Sequence, residues 1–188
     1  MGTGTIVILI IIAIIVIGVI WVISAYNGFI RLRNMVEEAF ATMDVYLKKR
    51  YDLIPNLVET VKGYAAHEAG TLEKVVQARN MAAGAKTIEG KIQGENMLQG
   101  TLKSLFAIAE AYPDLKANQN FLDLQSQLQR IEDDIANSRK YYNAIVKEFN
   151  TKTESFPGNI IAGIFNFTRK TMFEVNDEAE RDAVKVQF

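Results

Sequence analysis

The 188-residue chain is 49% apolar and carries 21 basic against 22 acidic side chains, a formal charge of −1, with no cysteine and one histidine. Near-neutrality gives no general pull toward nucleic acid, so none is expected as a partner. The lack of thiols excludes disulfides, cysteine nucleophiles and zinc–sulfur centres, and a single imidazole excludes metal sites built on several.

The first element sets how the rest is read. Ile6 to Ile23 is an unbroken run of eighteen apolar residues, ten of them Ile. A bilayer core about 30 Å thick needs roughly 20 apolar residues in a helix rising about 1.5 Å per residue. Inside hydrocarbon the helix is the local structure that satisfies every backbone N–H and C=O. Ile6, Ile11, Ile15, Val19 and Ile23 are therefore expected in the lipid bilayer. Trp21, Tyr26, Arg31 and Arg33 are its expected interface anchors, because amphipathic rings and basic side chains favour the headgroup layer.

A cleaved signal would show a basic segment, an apolar stretch of about 7 to 15 residues and small residues at the cleavage point. Here no Lys or Arg precedes the run, the run is longer, and Ile23-Ser24-Ala25 puts a bulky residue where a small one belongs. A permanent single-pass anchor is the expectation. Arg31 and Arg33, with Lys48, Lys49 and Arg50 beyond, place the main domain in the cytoplasm and the N-terminus outside by the positive-inside rule. The location that follows is the inner, cytoplasmic membrane.

About 160 residues remain, enough for one soluble domain with its own core. The expected division is an anchor over 1–28, a helical domain over 29–155, and an apolar patch with an acidic tail over 156–188. Phe29, Leu32, Val36, Phe40, Met43, Leu47, Tyr51 and Ile54 follow helix spacing, so one face is buried. The membrane helix is expected to run on into this one as a rod of about 70 Å, with Gly28 its flexible joint. Asp44 and Lys48 stand four apart on the polar side, and Lys48, Lys49 and Arg50 read as a solvated basic face.

Pro55 lacks an N–H, so a kink or restart is expected around Leu53 to Asn56. A second stripe runs Leu57, Val61, Tyr64, Glu68, Leu72, Val75, Arg79 and Ala82. Ala83 to Gly94 holds three glycines and reads as a hairpin loop. A third helix is expected from near Glu95 through Leu98, Leu102, Leu105 and either Ile108 or Ala109 to Tyr112, ended by Pro113, with a connector over Asp114 to Asn120.

Phe121, Leu124, Leu128, Ile131, Ile135, Ser138, Tyr142, Ile145 and Phe149 then alternate steps of three and four, a heptad seam of coiled-coil type. The fold class expected is all-α: a transmembrane helix, an antiparallel bundle of about four long helices, and a short apolar C-terminal segment. That segment, Ile160 to Phe165 with Phe167, Met172 and Phe173, either lies on the bilayer or caps the open end of the bundle, and the cap is favoured. Glu174 to Asp182 is acidic.

Chemistry is sparse. A di-iron bundle site needs Glu-x-x-His, and the residue three before His67 is Tyr64. No Gly-x-Ser-x-Gly or triad grouping surrounds the one His, and Gly84, Gly90 and Gly94 match no phosphate-loop pattern. Glu132, Asp133 and Asp134 read as the solvated face of the long helix. No catalytic, cofactor-binding or metal-binding residue is assigned, and no enzyme activity or cofactor is expected.

Lys48 to Ala66, KKRYDLIPNLVETVKGYAA, resembles the LemA family closely, as do Tyr26-Asn27, Val36-Glu37-Glu38-Ala39, Ala78-Arg79-Asn80, Tyr141-Tyr142-Asn143, Phe149-Asn150, Ser155-Phe156-Pro157 with Asn159, and Val184 to Phe188. The resemblance spans nearly the whole chain. It implies a bacterial single-pass membrane protein with a helical-bundle domain and supplies no reaction. Arg50, Tyr51, Asp52, Leu53, Pro55 and Asn56 are its structural or interaction residues: Tyr51 and Leu53 as packing, Pro55 as the corner between helices, Asn56 as a cap. For Arg50, Asp52 and Asn56 folding and binding roles stay open.

The reading is a membrane-anchored, non-enzymatic scaffold that forms homo-oligomers through its bundle or binds envelope proteins. The alternatives are a signalling or stress-response adaptor with a membrane or cytoplasmic protein partner, and a membrane-remodelling protein.

Overall fold

The computed structural model describes residues 2–174, and every regular element among them is helical. The acidic tail beyond Glu174 and the closing Val184 to Phe188 lie outside the described residues. The helices are α1 (Thr3–Lys62), α2 (Ala69–Gly84), α3 (Ile88–Ala111), α4 (Pro113–Lys116), α5 (Gln119–Glu154) and α6 (Gly158–Phe165), with a 3₁₀ turn at Ala66–Glu68. The N-terminal part of α1 has a mean hydropathy of 3.7 over eighteen residues, and none of that stretch is buried in the chain. It is long and apolar enough to cross a membrane. The described residues divide into two compact units, one of 2–41 with Tyr141–Met172, the other of Thr42–Lys140 with 173–174.

The second unit is the helical bundle. Arg50 of α1 meets Glu132 of α5, and Tyr64, just past the end of α1, meets Asn118, just before α5, so these two run antiparallel. Asp44 and Arg50 pair with Lys91 and Glu95, so α1 and α3 run the same way. α2 and α3 form a hairpin over three linking residues. Met43, Leu47, Ile54, Leu57, Val61, Val75, Leu98, Leu105 and Leu115 are fully or almost fully buried between them. Thr87 caps α3 by accepting from Gly90 N at 3.1 Å, and Asn118 caps α5 by accepting from Phe121 N at 3.0 Å.

Three sequence expectations need correcting here. α1 does not restart at Pro55; it continues to Lys62, and the break falls at Gly63–Ala65. The glycine-rich stretch is not a loop beyond Ala85–Thr87: α3 starts at Ile88, seven positions before Glu95, because Gly94 is a packing residue. A Cβ there would lie 2.5 Å from Ala82 Cα and 2.8 Å from Ala82 N, so only glycine lets α2 and α3 approach this closely. The connector after Pro113 contains a short helix, α4.

In the first unit, α1 and α5 again run antiparallel, since Phe29 meets Phe149 (6.0 Å, edge-on) and Phe40 meets Tyr142 (5.8 Å). Gly28 lies inside α1 rather than at a joint, and the Lys152 ammonium lies against it. After α6 the chain turns at Asn166, which takes left-handed φ 57° while Phe167 N closes onto Ala162 O at 2.9 Å. The segment beyond is fastened to α5. Asn150 donates Nδ2 to Lys170 O (2.9 Å) and accepts from Lys170 N (2.8 Å), and Tyr142 donates its hydroxyl to Thr171 O (2.8 Å). That brings Phe167 flat onto Phe29 at 4.7 Å. All nine seam positions on α5 are buried or half-buried.

Candidate functional site

Of the polar residues that the bundle buries, Glu95 meets Arg50, while Ser138 turns back onto its own helix at Ile135 O. Arg50 is 3% exposed, on the flank of the α1 face that carries Leu47, Tyr51 and Ile54, so it is not part of a solvated basic cluster. Nη1 donates to both carboxylate oxygens of Glu132 at 2.7 and 2.9 Å, and Nη2 forms a close ion pair with Glu95. Nε has no acceptor among the described residues. Glu95 is as buried as Arg50 and also accepts from the Tyr51 hydroxyl. Burial pushes the Tyr51 hydroxyl up to about 12, against the opposing pull of the Arg50 charge.

The surroundings hold this arrangement in place. Asp44 pairs with Lys91 of α3, not with Lys48 as its spacing suggested; Lys48 instead pairs with Asp52 at 2.6 Å. Arg79 of α2 donates Nε to the Tyr51 carbonyl at 3.1 Å. Beside Glu132, a cleft of about 400 Å³ between α3 and α5 is walled by Leu102, Phe106 and Leu128 and rimmed by Gln99, Gln125 and Gln129.

Chemically, one guanidinium answers two carboxylates, and a phenol supplies the next donor. Charge is spent inside the bundle, which makes this a lock between α1, α3 and α5. Among the described residues no three His, Asp or Glu side chains converge as metal ligands. His67 is exposed in the 3₁₀ turn, away from the cluster.

The other family-motif residues separate by face. Leu53 is half-buried, whereas Asp52, Pro55, Asn56 and Glu59 are exposed along one side of α1. Asn56 caps no helix; its carbonyl accepts from Thr60 Oγ1 within α1. Along the apolar run, Ile6, Ile11, Ile15, Val19 and Ile23 are all exposed, as are Trp21, Arg31 and Arg33. Tyr26 is half-buried, 4.7 Å from the Phe165 ring and 5.8 Å from that of Phe167.

Sequence reasoning missed Glu95, Glu132 and Arg79 as partners. Glu95 left a signal: it stands three before Leu98 and seven before Leu102, a charge in register with an apolar stripe. Glu132 left none, since it sits off the seam beside two other acids.

Comparison with known proteins supplies the family. The model of the LemA family matches residues 39–188, which include every member of the Arg50 cluster. Protein LemA of Metamycoplasma hominis is 26% identical over 155 residues, 80% of this chain and 69% of that protein. Magnetosome protein MamQ 2 of Paramagnetospirillum magneticum is 23% identical over 87% of this chain and 70% of its own length, and MamQ of Magnetospirillum gryphiswaldense is 24% identical over the same shares. With the match running over most of its length, the chain belongs to the LemA family.

Proposed function

We propose that this protein is a membrane-tethered, non-enzymatic helical scaffold whose bundle associates with copies of itself. The observation that carries the reading is α1 itself: its first part is an apolar span that the chain leaves wholly unburied, and its later turns carry the Arg50 lock. A tether confines copies to a surface and raises their effective concentration, so weak bundle contacts suffice for assembly. Arg31 and Arg33, exposed just after the span, favour a cytoplasmic bundle at the inner membrane with the N-terminus outside. Relatives named as magnetosome proteins align over 87% of this chain.

Light scattering of the nanodisc-held chain over a range of protein-to-disc ratios tests this. Growth in mass with loading is expected; a monomer at every loading would refute self-association.

A second reading, an adaptor, draws on the exposed row Asp52, Pro55, Asn56 and Glu59, the outward half of a motif whose inward half is committed to packing. It expects a protein crosslinked in native membranes that disappears on Asp52→Arg or Asn56→Arg with helicity unchanged. Arg50 is unsuitable for that test because it is buried in the lock.

A further inference from the structure

α6 reads GNIIAGIF, with Asn159 its one polar side chain. Ile161 and Ala162 are buried, whereas Ile160, Ile164 and Phe165 are exposed, as is Phe156 just before the helix. The helix is therefore apolar on the side turned to its own unit and apolar on the other. A helix of that kind belongs under cover on both sides.

Its position says what the cover is. The Phe165 ring lies 4.7 Å from Tyr26. Tyr26 comes three residues after Ile23, the last of the apolar run, a rise of about 5 Å at about 1.5 Å per residue. Headgroup layers are about 5 to 8 Å deep on each side of the hydrocarbon. If α1 spans, α6 sits at headgroup depth beside it.

The charges nearby have the matching sign. Lys152 holds its ammonium 4.8 Å over the Phe29 ring and against Gly28, five residues beyond the run. Arg31, Lys147 and Lys152, with the hydroxyl residues Thr151 and Ser155, line a groove of about 500 Å³ between α1 and α5 whose one carboxylate is Glu148. Among the described residues none of these three cations is in an ion pair. Partial burial, then the like charge of Arg31, press the Lys152 pKa below its ordinary value, which is the strain an incoming anion relieves.

We propose that this face docks on the headgroup layer of an anionic bilayer, with Ile160, Ile164 and Phe165 entering the interface and Arg31 and Lys152 taking the lipid phosphates. It is a second membrane contact beside the span, and it rests on the reading of Ile6 to Ile23 as an anchor. Each basic side chain near an anionic surface favours the docked state by about fivefold.

The test uses the full chain in nanodiscs of phosphatidylcholine, with or without phosphatidylglycerol, and a fluorophore on a single cysteine at Ile164→Cys or, in parallel, Ile15→Cys. The Ile164 probe should be quenched by nitroxide lipids labelled near the headgroup and shielded from aqueous iodide, more so with phosphatidylglycerol. R31Q/K152Q should remove most of that lipid dependence. An Ile164 probe open to iodide while the Ile15 probe stays in lipid would overturn the docking and leave the anchor intact. Shielding from iodide without lipid quenching would mean protein covers α6, and would also overturn it. An Ile15 probe reached by iodide would overturn the anchor, and the docking with it.

Discussion

Arg79 Nε donates 3.1 Å to the carbonyl of Tyr51, the acceptor that Pro55 leaves without its helical donor. An internal proline normally breaks a helix because the carbonyl four residues back loses its N–H and crowds the ring. Here a guanidinium from α2 replaces the missing donor, and α1 carries on to Lys62. Arg79→Met should cost about 1 to 3 kcal/mol, the range for leaving a buried acceptor unsatisfied. Pro55→Ala restores the N–H, so in that background the loss should fall to near zero. Urea unfolding of the detergent-held chain, followed by far-UV circular dichroism as a double-mutant cycle, measures the coupling; additive losses would contradict this account of Pro55.

The Arg50 and Glu95 charges compensate one another where water does not reach. Arg50→Met leaves Glu95 with the Tyr51 hydroxyl alone and should destabilise by about 3 to 5 kcal/mol, as should Glu95→Leu. The double variant should recover most of that loss, since a buried ion pair is often no better than well-packed apolar groups of similar volume. Thermal unfolding of the three variants at one pH decides it. No recovery in the double variant would mean the charges contribute more than mutual neutralisation.

Tyr51 makes stability pH-dependent at the alkaline end. Its hydroxyl is raised from 10.0 to about 12, chiefly by burial. Above pH 10 the unfolded chain loses this proton while the folded chain keeps it, so the contribution is complete below pH 10 and lost as pH rises toward 12. The difference amounts to about 3 kcal/mol. Tyr51→Phe should start lower, having lost the donor to Glu95, yet show a shallower decline between pH 10 and 12. Parallel unfolding curves across that window for the two proteins would show that Tyr51 does not titrate late.

Two glycines of α3 should respond with opposite sign. Gly94 packs on the Ala82 backbone, so Gly94→Ala forces α2 and α3 apart and should cost about 1 to 3 kcal/mol. A Cβ on Gly100 would meet nothing within 4 Å, so Gly100→Ala should stabilise by about 0.5 to 1 kcal/mol through helix propensity and a less free unfolded chain. Unfolding midpoints of the two variants against the parent test the contrast directly.

Amino-acid order alone determined what depends on neighbours three, four or eighteen residues apart. The apolar run, the α1 face from Phe29 to Ile54 and the nine-position seam of α5 were legible because hydrophobic spacing is a local record of which side faces inward. Tertiary structure decided the rest. Whether Pro55 ends a helix depends on Arg79, twenty-four residues later, and whether Gly94 is a loop or a contact depends on Ala82 of another helix. Arg50 reads as a surface charge until Glu95 and Glu132 arrive from α3 and α5 to neutralise it. A buried charge, an unsatisfied carbonyl and a missing side chain are each costly alone, and the partner that offsets each cost is set by the fold rather than by spacing along the chain.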